Sequence, residues 1–292
     1  MPTFTPAAFD YYAVSSLDEA IRMIQENEDA KIIAGGQSLL VMMKLRLLTP
    51  SALIDISKVP GLDYIKEEEG YIALGALTTH QAIYKSSLLT AKCPLLSEAA
   101  GRIGDVQIRN RGTIGGSVSH ADPSADYPAV LLALEAKVVA KGPSGERMID
   151  AEDFFLDVFT TALGPNELVK EVRVPIIGEN EGQAYIKFIR RESEFAMVNV
   201  AVCLTIGKDR TVEKARIALG AVANRAVRAK KAEGMLEGEK ISKELIEKVS
   251  KVADEETDPP ADIHASAEYR RHLVKVWTRR LLEQVLGQLE AK

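Results

Sequence analysis

The sequence predicts an α+β fold in two parts: a larger N-terminal domain over residues 1–177, with subdomains of about 1–57 and 58–177, and a smaller C-terminal domain over 178–292. Three observations predict it. Strand and helix patterns alternate at the start of the chain. A polar, glycine-flanked run, IGENEG, interrupts the pattern around Gly178–Gly182. Beyond it, β-rich segments precede helical ones, as in a small antiparallel sheet with helices.

In chain order, Ser16 and Glu19 form a capping-box pattern, and Ala20, Ile21 and Ile24 give the helix that follows an apolar face. KIIAGG (31–36) is a short strand running into glycines. SLLVMMKLRL (38–47) reads as a helix, with Ser38 as its N-cap and Leu39, Leu40, Met43 and Leu47 on one side. ALIDIS (52–57) is a second strand, and two strands joined through a helix favour parallel pairing. YIALGALTT (71–79) is a strand whose Thr79 caps a short helix, and Pro94–Ala100 is another helix. TIGG follows as a loop. A helix is then expected from about Pro123 to Leu134, with Asp122 as cap and Pro123 at its first position. Residues 135–150 form a hairpin turning at Pro143–Gly145, and 167–176 a strand ending at a proline. In the second part, QAYIKFIRRE is a strand and 201–222 a hairpin turning at GKDR. Two helices come next; the last carries Leu273, Trp277, Leu281, Val285 and Leu289 at i+4 spacing and is preceded by the chain break DPP.

Composition narrows the function. Hydrophobic residues make up 46% and charged residues 27%, and the net charge is −5. That balance is globular and carries no basic field for nucleic acid. No apolar run approaches the ~18 residues that cross a bilayer, and the N-terminus lacks the pattern of a secretory signal, so a cytoplasmic location is expected. The two cysteines, Cys93 and Cys203, are far apart with no CxxC, so this chain alone does not hold an iron–sulfur cluster; they read as buried apolar side chains. The four histidines show no zinc spacing, and no metal site is expected.

The most informative feature is a pair of glycine loops at strand–helix junctions, Ala34–Gly35–Gly36–Gln37–Ser38 and Thr113–Ile114–Gly115–Gly116–Ser117. Glycine admits positive φ and lacks a Cβ, so backbone N–H groups can close on a bulky anion. A helix starting at Ser38 adds free N–H groups. Either loop alone reads as an ordinary tight turn, and neither matches GxGxxG or GxxxxGK[ST]. Together they suit one shared pyrophosphate, and so a dinucleotide. Asp122 and Asp126 follow the second loop. A carboxylate there caps backbone N–H groups, the role expected of Asp122, or accepts hydrogen bonds from ribose or ribityl hydroxyls, the role expected of Asp126. His120 reads as a structural hydrogen-bonding histidine and Tyr185 and Phe195 as core residues, and no nucleophile or general base stands out.

These residues carry a resemblance. AGGQSLLVMMKLR with LIDIS, GDVQIRNRGTIGGSVSHADPSADYPAVLLAL, YIKFIRRESEFAMVNVAV and DIHASAEYRRHLVKVWTRRLLEQVL occur in order, with compatible spacing, along essentially the whole chain. They resemble the medium, FAD-binding subunit of carbon monoxide dehydrogenase and the flavin domain of xanthine dehydrogenase. The resemblance implies a vanillyl-alcohol-oxidase (PCMH)-type fold whose two subdomains grip FAD, followed by the C-terminal domain of carbon monoxide dehydrogenase flavoproteins. It implies FAD contacts by Ala34, Gly35, Gly36, Gln37, Ser38 and Leu39, and by Thr113, Ile114, Gly115, Gly116 and Ser117, where the family often has asparagine at the last position. It places Asp126 at an acidic position near the FAD, Ile103 where an apolar residue lines the adenosine half, and Lys187 in a strand that approaches the flavin; read by itself, Lys187 is an exposed strand lysine.

The resemblance also implies a role. A molybdopterin large subunit oxidises the substrate, an iron–sulfur small subunit with [2Fe-2S] clusters relays electrons singly, and this chain's FAD passes them to NAD or another acceptor, in a dimer of heterotrimers. Arg190–Arg191 and Tyr269–Arg271 are candidate partner surfaces. Two alternatives stay open: a stand-alone flavin oxidoreductase of the same fold, such as the enolpyruvyl reductase of cell-wall synthesis, and a flavin-free assembly protein.

Overall fold

The structure, a computed structural model, describes residues 5–291. Its first unit comprises β1 (Asp10–Ala13), α1 (Leu17–Glu26), β2 (Lys31–Ile33), α2 (Leu39–Lys44) and β3 (Ala52–Asp55). The sheet order is β1-β3-β2 and every pairing is parallel. Ser16 caps α1 by accepting from the Glu19 N–H at 3.1 Å, while the Glu19 carboxylate reaches past it to the Ser15 N–H at 2.8 Å. Ala20 and Ile21 of α1 pack with Ala52 and Ile54 of β3 in a small core. The α2 helix is shorter than its pattern predicts. Arg46 adopts φ 57°, which ends the helix, and Leu47 is 70% exposed instead of joining the core face.

The second unit runs through β4 (Ile65–Glu68), β5 (Tyr71–Gly75), α3 (His80–Lys85), α4 (Ser87–Lys92), α5 (Pro94–Arg102), α6 (Val106–Arg109), α7 (Ile114–His120) and α8 (Asp126–Ala133). It continues with β6 (Lys137–Gly142), β7 (Gly145–Asp150), α9 (Ala151–Phe154), β8 (Phe155–Asp157), β9 (Thr160–Thr161) and β10 (Leu168–Pro175). Its antiparallel sheet has the order β4-β5-β10-β6-β7. Two expectations are corrected here. TIGG is not a loop: Thr113 caps α7, accepting from the Gly116 N–H at 3.2 Å, so Ile114–Gly116 lie in the helix. The next helix starts at Asp126, not Pro123. Asp122 bonds the Ser124 N–H at 2.8 Å in a local turn that takes the place of a helix cap. All eight residues of α8 are buried, as befits a helix with protein on every side.

The third unit is an antiparallel sheet in simple chain order, β11 (Glu181–Phe188), β12 (Val198–Ile206), β13 (Val212–Gly220) and β14 (Val227–Arg228), followed by α10 (Lys230–Leu236), α11 (Lys243–Val252) and α12 (Ala267–Glu290). Three helices stand where two are expected. Glu181 and Gly182, read as linker, already belong to β11; a Cβ on Gly182 would lie 2.7 Å from Val285 Cγ1, so the strand needs glycine to lie against α12. Alternation along β12 gives the sheet two apolar faces. Val198, Val200, Val202 and Leu204 pack with Leu273, Leu281 and Val285, whereas Ala201 and Cys203 join the core built around α5 and α8. The C-terminal sheet is therefore layered between its own helices and the N-terminal part.

Candidate flavin-binding site

Parallel β2 and β3 end side by side at Ile33 and Asp55, and both continue into loops that face the second unit. In open parallel sheets this carboxyl edge is where ligands bind. A cleft of about 270 Å³ lies there, lined by Ala34, Gly35, Ser57–Gly61, Asp63, Leu77, Thr79, Asn110, Arg111 and Thr113. The first glycine loop and the start of the second thus share one cavity. At their meeting point the chains touch: a Cβ on Gly35 would lie 2.0 Å from the Arg111 carbonyl oxygen and 2.8 Å from Gly112 Cα. Gly35 is required by this close approach. Gly36 is required by its backbone, φ 73°, in the left-handed region.

The two loops are not equivalent. The backbone N–H groups of Gly35, Gly36, Gln37 and Ser38 have no acceptor among the described residues. In the second loop, Ile114 donates to Thr78 O (3.0 Å), Gly115 to Ala76 O (2.9 Å) and Ser117 to Thr113 O (3.0 Å), and Gly116 is held by the Thr113 hydroxyl. Gly115 is small because α7 lies against the end of β5; a Cβ there would meet Ala76 Cβ at 2.6 Å. The first loop therefore presents a run of free donors, whereas the second leaves only the Thr113 N–H free and otherwise supplies a wall. Ser38 does not cap α2, since its backbone is helical (φ −106°, ψ −52°) and its hydroxyl takes no cap bond. The exposed Gln37 turns its amide back to Gly35 O at 3.4 Å, and Leu39 begins α2 half-buried.

Sequence reasoning missed what supports the second loop. His80, 4% exposed, bonds Tyr127 Oη at 3.0 Å through Nδ1. A Cβ on Gly112 would lie 2.6 Å from its Nε2. Burial, then the charge of Arg109, push its pKa down to about 4, so the ring under the loop is neutral. A lone histidine in a strand–helix turn carries no sequence signal of this task. Lys58, Asn110 and Arg111 were missed as well; they become neighbours of the glycines only through the fold.

Three further expected residues form a second cluster. Lys187, far from being an exposed strand lysine, is buried; its Nζ donates to Asp126 Oδ2 at 2.9 Å and to the Arg102 carbonyl at 3.1 Å. Tyr185 Oη donates to the other Asp126 oxygen at 2.6 Å, and burial followed by the Asp126 charge pushes its pKa up, keeping it protonated. Ile103, next to Arg102, is half-buried against the same core. Asp126 thus already has two protein partners. Several neighbours depart from expectation. Phe195 is 61% exposed, not in the core. The His120 ring stacks on Phe159 at 4.8 Å and makes no hydrogen bond among the described residues. Arg270, read as part of a partner surface, is buried and bonds Ala221 O at 3.1 Å and Asp262 at 2.8 Å. A larger open groove, lined by Asn180, Lys208, Arg210 and Glu290 among others, lies at the β12–β13 turn, away from both loops.

Comparison with known proteins settles the family. Residues 7–177 match the FAD binding domain in molybdopterin dehydrogenase, and residues 183–285 the CO dehydrogenase flavoprotein C-terminal domain. The chain belongs to the FAD-binding subunits of the molybdopterin dehydrogenases. It is 36% identical over 280 residues to the glyceraldehyde dehydrogenase medium chain of Sulfolobus acidocaldarius, covering 96% of this chain and 99% of that one. It is 39% identical over 278 residues to the carbon monoxide dehydrogenase medium chain of Hydrogenophaga pseudoflava, covering 95% and 96%. A solved carbon monoxide dehydrogenase from the same organism superposes with a TM-score of 0.94 over 97% of this chain and 99% of that chain. As a flavoprotein of this family, the chain is an oxidoreductase subunit that works in a complex. The cleft suits FAD on its own terms: unpaired N–H groups, a bare-backbone contact and two nearby cations match a diphosphate. No helix among the described residues is long and apolar enough to cross a membrane.

Proposed function

We propose that this chain is the electron-transfer subunit of a molybdenum hydroxylase, receiving electrons from the [2Fe-2S] clusters of a small partner and delivering them through FAD to an outside acceptor such as NAD. One observation carries the reading: the Gly35 N–H, the first of a run of free N–H groups through Ser38, meets Arg111 and Thr113 in one cleft at the carboxyl edge of a parallel sheet. FAD supplies the capacity to take electrons singly and release them in pairs. Ala34–Leu39 and Thr113–Ser117 hold its diphosphate region, with the second loop acting as a wall. Ile103, Asp126 and Lys187 frame the remainder, the carboxylate of Asp126 exchanging a protein partner for a cofactor hydroxyl. The N-terminal domain, 1–177, grips the cofactor, and 178–292 braces it through β11.

A molybdopterin large subunit chooses the substrate, and the assembly is a dimer of heterotrimers in the cytoplasm. The test is reconstitution. The isolated chain is expected to bind one FAD and to turn over no small substrate, whereas in the assembled complex substrate reduces the flavin. Steady turnover by the chain alone would instead make it a self-sufficient flavin enzyme; failure to take up FAD would make it an assembly protein.

A further inference from the structure

We propose that Lys58 and Arg111, which lie outside both glycine loops, form a cationic clamp that neutralises the FAD diphosphate and selects the dinucleotide over uncharged flavin. The proposal rests on FAD occupying the cleft described above. A diphosphate bridge carries two negative charges, and neutral N–H dipoles offset them only in part. Of the two loops, the N–H groups of Gly35 and Thr113 are both free and on the cleft wall, whereas those of Ile114–Ser117 are already bonded within the protein. The missing compensation has to come from side chains.

The cleft wall carries three charged side chains, Lys58, Asp63 and Arg111. Neither cation forms an ion pair or a side-chain hydrogen bond with any described residue; Arg111 acts on the Asp55 carboxylate only as a nearby charge, which against burial and alongside the bonds from Tyr11 and Ser57 helps lower its pKa. Their placement is built. Arg111 sits where the two loops touch, its carbonyl against Gly35. Lys58 follows Ser57, whose N–H bonds Asp55 Oδ1 at 2.7 Å, and the other oxygen of Asp55 accepts from Tyr11 Oη at 2.5 Å. Asp55 thus fixes the start of the loop that carries Lys58. The clamp closes from both units: Lys58 belongs to the loop after β3 and Arg111 to the turn before α7. Arg111 offers a planar fork to two phosphate oxygens, and Lys58 a point charge.

Calorimetric titration of the flavin-free full-length chain with FAD and with riboflavin, each at low and high NaCl, tests this. R111Q and K58Q are each expected to weaken FAD binding by about tenfold, the scale of one hydrogen bond to a charged group. Both should flatten its salt dependence while leaving riboflavin binding unchanged. R111K, which keeps the charge, should retain the salt dependence. FAD affinities within twofold of the parent chain, or parallel losses for FAD and riboflavin, would overturn the clamp. A parent chain that binds one FAD while both variants do so equally well sinks this inference alone; a parent chain that takes up no FAD sinks the binding site and the clamp together.

Discussion

At the scale of single residues, His80 is the side chain on which the second loop leans, one ring nitrogen occupying the space a Cβ on Gly112 would need and the other bonded to Tyr127. Its pKa falls from 6.5 to about 4 because burial disfavours the imidazolium. Between those values the unfolded chain holds a proton that the folded chain does not. Stability contributed by the neutral ring is therefore complete above about pH 6.5 and is lost as pH falls toward 4. The whole window is worth about 3 kcal/mol. His80→Gln keeps a polar partner for Tyr127 and removes the titration. Urea denaturation at pH 7, 5.5 and 4 is expected to show a shallower acid loss in the variant by about that amount; equal losses would mean the folded ring already carries a proton. Nothing near His80 in the sequence marks it, since its partners lie 32 and 47 positions away.

At the scale of elements, the glycines are junctions between packed pieces. A methyl on Gly35 would strike the Arg111 carbonyl, and one on Gly115 would strike Ala76 at the end of β5. Gly35→Ala is expected to cost about 3 kcal/mol and to abolish FAD uptake, because the loops must part. Gly115→Ala should cost about 2 kcal/mol while keeping most FAD binding, because it strains α7 against β5 and leaves the N–H groups of the first loop untouched. Thermal unfolding and flavin stoichiometry separate the two; equal flavin loss in both would show that the second loop is a donor and not a wall. Element types were largely legible from sequence: the βαβ start, the Thr79 cap, the hairpin at 135–150 and the apolar face of α12 all follow from period and capping. Element ends were less so. Asp122 and Ser38 are both residue types that cap helices, yet Asp122 takes the Ser124 N–H in a turn ahead of α8, and Ser38 has helical φ and ψ with no cap bond. Sequence gives the capacity to cap, whereas φ and ψ at the position decide its use.

At the scale of the whole molecule, the two parts of the chain are joined by a buried charge pair. Asp126 begins α8, Lys187 lies in β11, and their side chains are 4% and 3% exposed. Asn199 Nδ2 donates to Ala125 O at 3.1 Å beside them. Lys187→Met leaves the Asp126 carboxylate buried with only Tyr185 and is expected to destabilise the chain by about 3–5 kcal/mol. Adding Asp126→Asn should recover a large part of that, measured by a double-mutant cycle in urea; additive losses would mean the pair is not coupled. The sequence by itself determined the fold class, most of the larger elements, the two glycine-rich segments and the family, because period, capping and glycine placement are local and survive translation into a string. Only the tertiary structure decided that one loop keeps its donors free while the other bonds those of Ile114–Ser117 internally, that Lys58 and Arg111 line the same cleft, and that Asp126 pairs with a lysine 61 residues away. Those outcomes depend on which backbone groups and charges meet across the chain, and such meetings are set by packing and carry no mark in the order of residues.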